Sequence, residues 1–274
     1  MAKINKGVFR AGTSGLVLAE PNKSAFPKEF RKQTRLSYYS SLFNSIEINS
    51  SFYKMPMPAT FAKWASEVGN AFQFTVKLGR DITHARGFEF RMEDIDKFMK
   101  AADNIGQKKG CLLIQLPPSI TDSHADALEG MLHRVSMPDG DGSVQAPLFA
   151  PATADTAETD AGVHWKIAVE FRHPSWYRPG IYELLDNYQA SVVLQDMPSS
   201  ATRTLNKKAH FIYLRYHGQE GDYKGSYPIS FLQQQAKDIA HWLGQGKDVY
   251  AYFNNTIGDA VANLNTLRKM VARD

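Results

Sequence analysis

The chain has 274 residues, 43% of them hydrophobic, and a formal net charge of +4 with a pI near 9.0. That length accommodates one large domain or two small ones, and the mild basicity favours anionic ligands without demanding nucleic acid. A single cysteine, Cys111, excludes an internal disulfide framework and fits a reducing compartment. The opening MAKINKGVFRAGTSG has no apolar signal core, and no apolar run nears the ~18–20 residues of a membrane span, so a cytoplasmic protein outside the membrane is expected.

In chain order, β-rich runs are expected at 8–15, 43–52, 72–79, 110–116, 165–172, 191–196, 210–217 and 248–255. Helical patterns at 34–42, 58–68, 91–105, 123–135, 179–188, 229–244 and 258–272 separate most of them. Only residues 199–207 lie between the sixth and seventh strands, so that helix should be short or degenerate. Eightfold strand–helix alternation predicts an α/β fold, a single-domain (β/α)8 TIM-type barrel. The stretch 136–163, rich in Ala, Thr, Asp, Gly and Pro, interrupts the rhythm. It reads as a long mobile loop inserted before strand 5, at the face opposite the usual active site.

Strand side chains alternate between faces, so each strand's inward set can be read from parity. Ile46 and Ile48 oppose Glu47, Asn49, Ser51 and Tyr53; Phe74 and Val76 oppose Thr75 and Lys77; Ile167, Val169 and Phe171 oppose Ala168, Glu170 and Arg172; Ile212, Leu214 and Tyr216 oppose Tyr213, Arg215 and His217. Helices cover the outer face of a barrel, so the polar parity should point to the axis. Thr13, Glu47, Asn49, Lys77, Gln115, Glu170, Arg172, Asp196, Arg215, His217 and Asn254 are then expected together at the C-terminal mouth, where barrel enzymes build their sites. The simpler alternative is a structural network in which Glu47, Glu170 and Asp196 neutralise Lys77, Arg172 and Arg215. Dry ion pairs cost several kcal/mol per ion in desolvation, and apolar filling is often as stable, so a ligand explains the charges better.

Several segments resemble a known family. GTSG (12–15), FNSIEINSSFY (43–53), FTVKLGRDITH (74–84), LIQLPPS (113–119), VEFRHPSW (169–176), YLRYHG (213–218), YKGSY (223–227) and YFNNT (252–256) are similar, in order, to the YecE-like proteins, domain of unknown function 72. The resemblance implies a TIM-type barrel with these motifs at strand ends, and no particular activity. Where that family has an aromatic-rich GTSGW-S-Y start, this chain reads GTSGLVL, and the 136–163 insertion is longer than the family's.

Dinucleotide, phosphate-loop, zinc-helix and nucleophile-elbow motifs are absent, so no cofactor is expected. Lys77, Arg172 and Arg215 supply positive charge for a carboxylate or phosphate. Glu170 or Glu47 is suited to general base and His217 to acid or base, while Asn49, Gln115 and Asn254 can orient a polar ligand. His84, on the loop after strand three, and Tyr223, Asn254 and Asn255, on the loops after strands seven and eight, add candidates where barrels often bind phosphate. His173 is expected to lock the fifth turn, and Trp176 to pack.

A divalent metal on His84, Glu170, Asp196 and His217 is the weaker expectation, because Lys77, Arg172 and Arg215 would oppose a cation. The leading reading is thus an enzyme, of hydrolase or lyase type, acting by acid–base chemistry on a small anionic substrate, phosphorylated compounds included. Second comes a nucleic-acid-processing barrel, in which Lys23, Lys28, Arg31, Lys32 and Arg35 contact a backbone while Phe26 and Phe30 wedge bases. Third is a ligand-binding module without turnover.

Overall fold

The computed structural model describes residues 5–137 and 163–273. Eight strands, β1 (Phe9–Thr13), β2 (Ser45–Ile48), β3 (Gln73–Lys77), β4 (Lys109–Leu116), β5 (Lys166–Phe171), β6 (Ser191–Gln195), β7 (Phe211–Tyr216) and β8 (Asp248–Phe253), form one all-parallel sheet. Its order, β1-β8-β7-β6-β5-β4-β3-β2, is that of a (β/α)8 barrel. The helices are α1 (Arg35–Leu42), α2 (Ser50–Tyr53), α3 (Pro58–Ser66), α4 (Arg80–Thr83), α5 (Met92–Ala102), α6 (Ala125–Ser136), α7 (Pro179–Asn187), α8 (Ile229–Gly244) and α9 (Ala260–Val271). Local chemistry starts several of them: Thr34 accepts the Ser37 amide at the head of α1, and proline occupies the first turn of α3 and α7.

As the sequence suggested, no helix separates β6 from β7. Asn206 does a helix's work there, accepting from the Val192 amide at 3.1 Å and donating to the Ala190 carbonyl at 2.9 Å. The insertion expected at 136–163 falls, from 138 to 162, outside the described residues.

Strand parity holds wherever the strand itself continues. Ile46, Phe74, Val76, Ile167, Val169, Phe171, Ile212 and Leu214 pack with the helices in the outer core. Cys111, Leu113, Ala168, Val193, Phe211, Tyr213, Tyr250 and Tyr252 fill the lumen. Tyr252 is satisfied there by Ser45 at 2.6 Å and Thr75 at 2.8 Å, which is how a wide aromatic with a polar tip can be buried.

Closure between β1 and β2 depends on side chains. The Gly15 amide donates to the Glu47 carbonyl at 2.7 Å, but below that point Tyr39 and Asn44 take over. The Tyr39 hydroxyl accepts from the Thr13 amide at 2.8 Å and donates to the Ser45 carbonyl at 3.2 Å. Asn44 accepts from the Ala11 amide at 3.0 Å and donates to the Phe9 carbonyl at 2.8 Å. Gly12 permits the approach, since a Cβ there would lie 2.0 Å from the Ser45 carbonyl oxygen.

Two expectations of parity are corrected. Strand β2 ends at Ile48 and turns into α2, so Tyr53 leaves the inward set and stands 77% exposed. The turn forms because the buried Ser51 hydroxyl meets the Ile48 carbonyl at 3.0 Å and the Lys77 carbonyl at 2.7 Å, tying the ends of β2 and β3 together. On β1, Thr13 shares a face with Ala11 of the outer core and touches Tyr39, so the inward place falls to Ser14.

Candidate functional site

At the C-terminal end of the barrel the charged residues converge. Arg215, from β7, lies at the centre and is 2% exposed. Its Nη2 donates to Glu47 Oε1 at 2.8 Å and its Nε to Glu47 Oε2 at 3.0 Å. Its Nη1 donates to Glu170 Oε2 at 2.5 Å. Glu47 also accepts from Ser14 and, at 2.5 Å, from Tyr213. Glu170 gives its other oxygen to Nε of Arg172. Both glutamates have no exposed surface, and every carboxylate oxygen is engaged.

Burial alone would raise both acids. For Glu47 the Arg215 charge, with hydrogen bonds from Arg215, Ser14 and Tyr213, outweighs it and holds the carboxyl below its usual range. For Glu170 the charges of Arg172 and Arg215 do the same more strongly. Two guanidiniums and two carboxylates therefore form a balanced buried group.

His217 is also fully buried. Nη2 of Arg172 lies 2.9 Å from its Nε2, and Asp196 Oδ1 lies 3.2 Å from its Nδ1. Guanidinium nitrogens only donate, so Nε2 must accept, the ring is neutral, and its proton sits on Nδ1 facing Asp196. Burial, the largest influence, also pushes the His217 pKa down despite Asp196 and Glu170. Asp196 is fixed in turn by the His217 amide at 2.7 Å and by the Tyr227 hydroxyl. The result is a chain, Tyr227–Asp196–His217–Arg172–Glu170–Arg215–Glu47, crossing the barrel from β6 to β2.

Lys77 stands apart from it. Its Nζ donates to Gln115 Oε1 at 2.8 Å and lies 3.9 Å from the centre of the Phe52 ring. Among the described residues it forms no ion pair. Burial first, then the Arg215 charge, lower its pKa from 10.5 to about 7, against partial opposition from Glu170 and Glu47.

Access to the mouth is narrow and uneven. Lys77 and Gln115 keep 8% and 7% of their surface, the Arg172 and Asp196 side chains 10% and 22%. Nη1 of Arg172 has no protein partner among the described residues. Asn49, His84 and Asn254 are half-buried at the rim, and the side-chain amide oxygen of Asn49, Oδ1, is buried without a partner there. His84 packs edge-on against Phe52 and bonds Thr83 at 2.9 Å; burial, with Lys77 and Arg80 nearby, lowers it to about 4. Tyr223 adopts a left-handed backbone, φ 66°, and holds its ring 5.9 Å from His217.

Asn255 turns away from the lumen and ties Gly225 to Asn263 of α9 at 3.0 Å each. His173 caps its turn by accepting the Ser175 amide, and Trp176 stacks on Phe171 at 4.8 Å. Phe26 is 1% exposed against Tyr38, and Phe30 packs on the same ring. Among the described residues no three His, Cys, Asp or Glu side chains converge as a metal site, and no helix is long and apolar enough to cross a membrane.

Four participants were not singled out from sequence. Tyr213 shares Arg215's parity and was legible in principle, as was Tyr227 within YKGSY. Ser14 was passed over because its neighbour Thr13 was expected in its place, and Phe52 was hidden by parity continued past the end of β2. A groove lined by Lys6, Asn44, Arg268 and Lys269 opens at the opposite, N-terminal end, but no carboxylate or histidine lines it.

Comparison with known proteins finds one family along nearly the whole chain. The model of a family described as protein of unknown function DUF72 matches residues 10–274. The UPF0759 protein YunF of Bacillus subtilis is 25% identical over 279 residues, covering 88% of this chain and 87% of that protein. The UPF0759 protein YecE of Escherichia coli is 24% identical over 95 residues, 35% of each chain. Crystal structures of DUF72 family proteins superpose with TM-scores of 0.73 (Enterococcus faecalis, 18% identity, 97% of this chain and 96% of that one) and 0.70 (Thermotoga maritima, 22%, 97% and 99%). At those identities the likeness is one of fold.

Proposed function

The chain belongs to the DUF72 family, and from that premise we propose that it is an enzyme that binds a small anionic substrate at the C-terminal mouth and acts on it by acid–base chemistry. One observation carries this reading. The buried carboxylates are saturated by Arg215 and Arg172, while Nη1 of Arg172 and the remaining Lys77 protons are left over at the mouth, beside those carboxylates. A carboxylate or phosphate placed there would gain charge-assisted hydrogen bonds worth ~1.5–3 kcal/mol each. Asn49, with its unpartnered oxygen, Gln115 and Asn254 are the groups to orient it.

Within this proposal the roles expected of Glu47, Glu170 and His217 shift from proton transfer to positioning. Each is fully buried and hydrogen-bonded on all sides that face the network, and a general base must reach the proton it takes. Lys77, with its pKa near 7 and a window to solvent, is the better acid–base group; Asp196 at the rim is the second. Tyr53, packed edge-on against Phe52, and Tyr223, beside His217, are the aromatic groups next to this site. The buried lone Cys111 fits work in a reducing compartment such as the cytoplasm.

A ligand-binding barrel without turnover is the second reading, favoured by the sealing of both glutamates. A nucleic-acid reading is not favoured: Phe26 and Phe30 pack on Tyr38 and offer no wedge.

The test is incubation of the protein with a cell metabolite extract, read by untargeted mass spectrometry. Turnover predicts an anionic compound consumed by wild type and untouched by Lys77→Met. An extract left unchanged by wild type, or changed equally by both proteins, overturns the enzymatic reading.

A further inference from the structure

We propose that Lys77 is a nucleophilic amine that forms an imine with an aldehyde or ketone carrying a carboxylate or phosphate. This rests on the mouth being an anion site and names the class of substrate it takes.

The geometry sets Lys77 apart from the other cations of the mouth. Arg215 is clamped by Glu47 and Glu170, and Arg172 by Glu170 and His217. Lys77 has a side-chain amide as its hydrogen-bond partner and an aromatic face beneath it. Gln115 Oε1 is an acceptor, so it takes an N–H and leaves the nitrogen lone pair uncommitted. Phe52 and His84 form an apolar wall on one side. Lys77 is not sealed: 8% of the residue stays exposed.

A lysine meant only to grip an anion is better kept as an ammonium by a neighbouring carboxylate. Here the charge that acts on Lys77 most is Arg215, a guanidinium already held by Glu47 and Glu170, and the amine is desolvated. Amines in such settings serve as Schiff-base nucleophiles. A lysine titrating near 7 has roughly a thousandfold larger neutral fraction at pH 7 than an exposed one.

The step balances without a further reagent. The Nζ lone pair attacks the carbonyl carbon, a C–N bond forms, and the C=O π pair moves to oxygen. The nitrogen loses two protons in all, the oxygen gains two and leaves as water, and C=N replaces C=O. Nothing is oxidised or reduced, and hydrolysis reverses it. Arg172 Nη1 is the group to hold the substrate's anionic end.

The probe is pyridoxal 5′-phosphate, an aldehyde with a phosphate, reduced in place with sodium cyanoborohydride at pH 7 and located by peptide mass mapping of the full chain. The proposal predicts about one label per chain, on Lys77 ahead of the exposed lysines, as the thousandfold neutral fraction requires. It also predicts loss of that label in Lys77→Arg and Lys77→Met variants whose melting shows them folded. Labelling should rise with pH about a midpoint near 7. Label spread over exposed lysines with Lys77 bare overturns it, in the variants' absence as well as their presence. The anion reading is scored separately: pyridoxal, without the phosphate, should label Lys77 several-fold less, and inorganic phosphate should protect. Lys77 labelled equally by both aldehydes keeps the imine and removes the anion site. Phosphate binding lost in Arg172→Ala, with Lys77 unlabelled in wild type, removes the imine and keeps the site.

Discussion

Arg215 grips Glu47 through two parallel hydrogen bonds, 2.8 and 3.0 Å long, and turns its remaining nitrogen to Glu170 on the far side of the lumen. One guanidinium thereby ties β7 to β2 and β5 across the barrel. With one partner removed, the others are left charged and dry. Glu47→Gln and Arg215→Met should each cost ~3–5 kcal/mol, the scale for breaking a buried pair. Chemical denaturation measures this. A loss below ~1 kcal/mol, the scale of surface pairs, would mean that water reaches the pair.

Acid should weaken the fold through the same residues. Glu47 and Glu170 have folded pKa values below their ordinary 4.5. Below about that pH the unfolded chain binds more protons than the folded one, so stability falls as pH falls. Their contribution is intact above 4.5 and lost progressively below it. Denaturation midpoints from pH 6 to 3 should fall less steeply in Glu170→Gln than in wild type.

Lys77 acts in the opposite pH range. Its folded pKa near 7 lies below its ordinary 10.5, so between those values the unfolded chain carries the extra proton. Stability then rises with pH, by at most ~1.4 kcal/mol per pH unit. Wild type should gain on Lys77→Met as pH climbs from 7 to 9, measured by urea midpoints. A flat difference would mean an ordinary, hydrated amine.

The β1–β2 seam gives a prediction of its own. In Gly12→Ala the new methyl meets the Ser45 carbonyl at 2.0 Å and the Tyr39 hydroxyl at 2.8 Å, both held in place. Overpacking costs ~1–3 kcal/mol. Tyr39→Phe should cost a similar amount by leaving the buried Thr13 amide unpaired. Thermal melts of the two variants check this; unchanged melting in both would show the seam to be slack.

Much of this architecture is legible in single residues. Ile167, Val169 and Phe171 alternate with Ala168 and Glu170 because helices cover one side of β5 and the lumen lies on the other. The same rule placed Lys77, Gln115, Arg172 and Arg215 inside. It fails past strand ends, since alternation holds only while φ and ψ stay extended: Ser51 bends β2 into a turn, and Tyr53 loses its assigned direction. Thr13 was expected inside against alternation, which pairs it with outward Ala11. Parity also cannot give depth. How far each residue lies from the opening depends on strand tilt and stagger, which alternation does not encode. Glu170 and Arg172 share a face, yet Glu170 is sealed and Arg172 reaches the rim.

Calorimetric titration with inorganic phosphate at pH 7 tests the mouth as an anion site most directly. Wild type should bind, Arg172→Ala should bind at least ~10-fold more weakly for the loss of a charged donor, and Lys269→Ala, in the far groove, should match wild type. Equal affinity in wild type and Arg172→Ala, or loss in Lys269→Ala instead, would contradict the account.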